Sequence, residues 1–91
     1  MSKPIATNTT IGDLRRKAIV TDAEIASAIE SYLADPTGKP FQFGSGHVLD
    51  VAAAVEAHRP AKAAVAEKGM REAFRRTMIR TAIILAVPAE L

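Results

Sequence analysis

Between Met70 and Val87 the chain reads MREAFRRTMIRTAIILAV, and apolar residues recur there on two sides of one helix. At about 100° per residue, Met70, Phe74, Thr77, Met78, Thr81 and Leu85 share one side, while Arg71, Glu72, Arg75, Arg76 and Arg80 spread over the other. From Ile79 onward a second stripe of Ile79, Ile83 and Val87 rises at i, i+4 and i+8, on the side that had been polar. A helix that is apolar all round must be covered on both sides, by its own chain or by another. The second stripe is therefore either core of the monomer or a docking surface rimmed by Arg76 and Arg80. AIILAV alone is also short enough to be a buried strand, since periodicity does not separate the two over six residues.

The rest of the chain limits how that helix can be covered. With 91 residues there is material for one domain with a small core, near the size at which oligomerisation commonly adds stability. An Ala-rich chain with few aromatics and no Trp points to an all-α fold: a compact bundle of four to five short helices over 10–91, preceded by an extended arm over 1–9. The arm carries Pro4 and a polar run at Thr7, Asn8 and Thr9, and it has no helical period.

Two capping boxes punctuate the first half. Thr10 with Asp13 predicts a helix from Ile11 to about Val20, with Ile11, Leu14 and Ala18 buried and Arg15, Arg16 and Lys17 solvated. Thr21 with Glu24 predicts a second helix burying Ile25, Ala28, Ile29, Tyr32 and Leu33. Asp35-Pro36-Thr37-Gly38-Lys39-Pro40 reverses the chain. Phe41-Gln42-Phe43 reads as one extended rung whose two aromatics plug the core. Gly44-Ser45-Gly46 reads as a turn with Ser45 capping the next helix, which Val48, Val51, Ala52 and Val55 would stripe as far as His58. Pro60 suits the first turn of a further helix. Gly69 either ends that helix or sits within one that continues to Val87.

Chemistry is sparse. Cysteine is absent, which removes disulfides, thiolate metal sites and thiol nucleophiles. His47 and His58, about 16 Å apart on a helix, cannot share a metal, and His47 with Asp50 lacks a third ligand in reach. No serine stands in a nucleophile-elbow context, and the acids lie scattered over solvated faces. The expectation is a non-enzymatic protein with no catalytic residues, no metal and no cofactor. With no charged-then-apolar leader and no apolar run long enough to span a bilayer, it is expected in the cytoplasm and off the membrane.

Two functional readings follow. In the first, a small regulatory, inhibitory or assembly subunit docks Arg76, Ile79, Arg80, Ile83 and Val87 on a protein partner or on itself as a homo-oligomer, an apolar centre with an arginine rim being what interfaces favour. The alternative uses the charge distribution. Residues 1–58 hold five Lys or Arg against seven acids, whereas residues 59–91 hold seven against three, a net of +4. Arg71, Arg75, Arg76 and Arg80 could then track a nucleic-acid backbone. These arginines form two diverging pairs, and Glu67 and Glu72 each stand four residues before one of them, as intrahelical ion pairs require.

Overall fold

A computed structural model describes residues 9–37 and 39–90, with the backbone alone at 90. The expected extended arm over 1–9 thus lies, save for Thr9, outside the described residues. Among the described residues the fold is a mostly helical, roughly all-α bundle of five helices: α1 (Ile11–Arg16), α2 (Asp22–Ala34), α3 (Val51–Ala57), α4 (Arg59–Ala66) and α5 (Glu72–Leu85). Three short strands, β1 (Phe41–Gln42), β2 (His47–Leu49) and β3 (Ala89–Glu90), accompany them.

Both capping boxes form. Thr10 Oγ1 accepts from the Asp13 N–H at 3.1 Å while Asp13 Oδ2 accepts from the Thr10 N–H at 3.0 Å. Thr21 and Glu24 do the same at 3.2 and 3.0 Å, so two otherwise unpaired N–H groups are satisfied at each start. The first helix is shorter than its sequence suggests. It stops at Arg16 because Ala18 adopts a left-handed conformation with φ of 62°, and the Ile19 N–H then returns to the Leu14 carbonyl at 2.9 Å. Ala18 is consequently exposed, and Val20 rather than Ala18 joins Ile11 and Leu14 in the core.

The segment after α2 departs furthest from expectation. Phe41 and Phe43 do plug the core, their rings edge to face with centroids 4.9 Å apart. However, the chain does not pass from the Gly44–Gly46 turn into a helix. It forms a hairpin in which Phe41 faces Leu49 and Gln42 faces Val48, antiparallel. The other edge of β2 is taken by β3, with His47 opposite Glu90 and Val48 opposite Ala89. The α3 cap is therefore Asp50, whose Oδ1 accepts from the Ala53 N–H at 3.1 Å, and not Ser45. Ser45 instead bonds His47 Nδ1 at 2.7 Å within the hairpin turn. Glu24 fastens this hairpin to α2, since its Oε2 accepts from the Gly44 N–H at 2.7 Å.

Pro60 stands in the first turn of α4, as its sequence position predicts. Gly69 lies in the turn that separates α4 from α5, so no single helix runs from Pro60 to Val87. The expected Glu67–Arg71 pairing thus has no helix to form on, whereas Glu72 and Arg76 do pair at 2.9 Å. All four other helices pack against α5, which makes it the axis of the bundle. Among the described residues, no helix is long and apolar enough to cross a membrane.

Candidate docking surface

Of the two uses open to the second stripe of α5, monomer core or docking surface, the structure shows core for Ile79 and Ile83. Ile79 and Ile83 have no exposed surface, and with Ala82 they lie among Ile11, Leu14, Val20, Ile25, Ile29, Phe43 and Val55. The apolar centre assigned to an interface is therefore the centre of the monomer core, and this assignment is corrected. The physical reason is that four helices converge on this side and supply the covering chain. Of the expected stripe only Val87, just beyond the helix, stays open, at 48% exposure.

The arginines beside the buried stripe explain how that side is held. Arg76 reaches Glu30 on α2 as well as Glu72 on its own helix. Arg80 Nη2 lies 3.2 Å from Asp22 Oδ1 at the start of α2, an atom that also accepts from Arg15 Nε of α1. Together these pairs fix α2 and α5 in opposite directions, because Asp22 meets Arg80 and Glu30 meets Arg76. The Arg15 guanidinium, followed by that of Arg80, holds the Asp22 carboxyl below the usual carboxylate range. Arg75 turns toward α4, donating to the Glu67 carbonyl at 2.8 Å and the Ala64 carbonyl at 3.4 Å. The stems of these side chains border the apolar stripe while their charged ends reach past it. Of the four arginines of the nucleic-acid reading, three are thus engaged with carboxylates or carbonyls of the same chain. Arg71, at the start of α5, is exposed.

The outward side of α5 is different in kind. At 100° per residue, Ala73, Ile84, Thr77, Thr81, Phe74, Leu85 and Met78 fill an arc of about 140° that contains no ionisable side chain, and within it Ile84 and Met78 pack in part against the core. Phe74 is 46% exposed and Leu85 59% exposed. Between them, the Thr77 hydroxyl donates to the Ala73 carbonyl and the Thr81 hydroxyl to the Thr77 carbonyl, both at 3.0 Å. Each threonine has its hydroxyl donor satisfied within the helix, which lowers the cost of covering this side. At the first turn the surface runs into a shallow depression lined by Glu67, Gly69, Met70, Arg71 and Phe74. The C-terminal turn is steadied by α1. The Ile11 N–H donates to the Ala86 carbonyl at 2.9 Å, and Gly12 lies so close that a Cβ there would stand 2.7 Å from Ile84 Cγ2.

Sequence reasoning named Phe74, Thr77, Thr81 and Leu85 as one side of a helix but did not identify it as the open side. A signal was present in the charges: Asp22 and Glu30, eight residues apart on α2, match Arg80 and Arg76 on α5 in antiparallel order. Among the described residues, no group of three His, Asp or Glu side chains is placed to hold a metal ion. No family model matches the chain, and no curated protein or solved structure proved significantly similar to it.

Proposed function

We propose that this is a small non-enzymatic interaction protein, a regulatory, inhibitory or assembly subunit that acts by docking the outward side of α5 on a protein partner. The observation that carries this reading is the uncharged arc with two large apolar side chains half open to solvent, on the helix against which the rest of the bundle packs. A surface of this make-up gains free energy when covered and loses none by stranding a charge. Its rigidity supports the same reading, since a helix fixed by four neighbours has little conformational freedom left to lose on binding. The arginines favour protein over nucleic acid, because releasing Arg75, Arg76 or Arg80 for phosphate would break the contacts that hold α5 to α2 and α4.

The test is site-specific cross-linking in cells, with a photoreactive residue replacing Phe74 and, as control, Ala26 on the exposed side of α2. A discrete adduct from position 74 that is missing from position 26 is expected. Equal or no adducts at the two positions would sink the reading.

A further inference from the structure

We infer that the groove between the C-terminal ends of α2 and α4 is a binding site for a small carboxylic acid with an apolar body. The inference goes beyond the docking reading, and the groove shares no residue with the outward arc of α5.

The way the two helices end creates the groove. Pro36 cannot extend α2 beyond Ala34, and α4 stops at Ala66 ahead of the turn at Gly69, while both helices pack against α5. Between their ends lies an open groove of about 530 Å³, walled by Tyr32 and Leu33 of α2, Pro36 after it and Val65 of α4. That volume falls within the roughly 300–1,000 Å³ usual for sites of small molecules. Tyr32, Leu33 and Val65 pack against the core with part of their surface and leave the rest open, so the walls are in place before a ligand arrives.

Charge selects the ligand. Lys68 and Arg75 line the groove, and no Asp or Glu does. The acids nearby in sequence or space are turned elsewhere. Asp35 accepts from the Thr37 N–H and hydroxyl at 3.2 and 3.1 Å, Glu56 lies 3.2 Å from Lys62 Nζ, and Glu67 lines the separate depression beside Phe74. Burial pushes the Tyr32 phenol up, with Glu56 adding to the effect, so Tyr32 brings no negative charge at neutral pH. Arg75 is held by the carbonyls of Ala64 and Glu67 through Nε and Nη2, which leaves Nη1 to donate to a ligand. Among the described residues, no ion pair or hydrogen bond engages the Lys68 ammonium. Two cations beside apolar walls match one carboxylate whose apolar remainder lies on Leu33 and Val65. An amine of the same shape would be repelled, and a bare small anion would leave the walls uncovered.

Tyr32 is the one tyrosine of a chain without tryptophan, so its emission reports the groove directly. The probe is octanoate at pH 7, titrated to about 10 mM, well above the sub-millimolar to millimolar binding that some ten non-hydrogen atoms support at an open site. Acetate and octyltrimethylammonium are the controls, the first lacking the chain and the second reversing the charge. The expected result is a saturable change in Tyr32 emission with octanoate, none with acetate, and at least a several-fold weaker response to the ammonium. Lys68→Gln should weaken octanoate about two- to five-fold, whereas Lys17→Gln, which removes the same charge outside the groove, should not. No saturable change with octanoate would overturn the site. Equal binding of the ammonium, or equal effects of the two lysine substitutions, would overturn its assignment to a carboxylate.

Discussion

Ile79 and Ile83 on one side of α5 are wholly buried, whereas Phe74 and Leu85 on the other keep about half of their surface in solvent. Both pairs are large and apolar, so hydrophobicity does not account for the difference. What separates them is what stands beside them. The inward stripe is flanked by Arg75, Arg76 and Arg80, and each finds a partner on a neighbouring helix that draws that helix across the stripe. The outward arc has threonines whose hydroxyls turn back onto α5 itself and reach no other element. An apolar side chain is covered where its polar neighbours have partners on other parts of the same chain. Where they have none, the side stays open to association.

The comparison breaks most sharply under truncation. Ile83→Ala should destabilise by about 2–5 kcal/mol through lost burial and a cavity, a large share of the total stability of a small domain. Leu85→Ala, two residues on, should stay within about 0.5 kcal/mol in dilute solution. Urea denaturation of both variants measures the contrast, and similar losses would erase it. Next in size is Gly12→Ala, which sharpens the boundary between the two sides where α1 meets Ile84. The added Cβ would stand 2.7 Å from Ile84 Cγ2 and 3.2 Å from the Ile84 carbonyl oxygen, and the expected loss is about 1–3 kcal/mol in the same assay.

Smaller effects address the flanking charges. Arg80→Met keeps the stem and removes the pair with Asp22. At this degree of exposure the expected loss is below about 1 kcal/mol, shrinking further in high salt. Acid should act in the same place. Asp13 is held below its ordinary carboxylate value chiefly by the Thr10 N–H, Asp22 by Arg15 and Glu24 by the Thr21 N–H. A carboxyl lowered on folding contributes stability that is full above its unfolded value near 4 and is lost as pH falls through the lower folded value. Thermal melting should therefore weaken progressively below about pH 4.

Much of the helical framework was legible in the residues. The Thr10 and Thr21 boxes, the turn at Pro36 and the start at Pro60 are local devices, and each acts through neighbours within four positions. What was hidden depends on distant partners. The end of α1 at a left-handed alanine carries no glycine to announce it. The strand at His47–Leu49 is only three residues long and owes its pairing to residues 41–42 and 89–90, so the helical spacing of Val48 with Val51 and Val55 misdirects the reading. The candidate surface was half legible. Its members were grouped correctly on one side of a helix, but which side faces inward was decided by Glu30 and Asp22, more than forty residues away in sequence.

The most direct measurement is cross-linking in cells from position 74, with and without Leu85→Asp in the same chain, together with thermal melting of Leu85→Asp and the wild type in dilute solution. The expected result is a variant that melts as the wild type does and loses the discrete adduct from position 74. A variant that is unfolded, or that keeps the adduct, would contradict the assignment of the outward side of α5 as a surface free of the fold and used for docking.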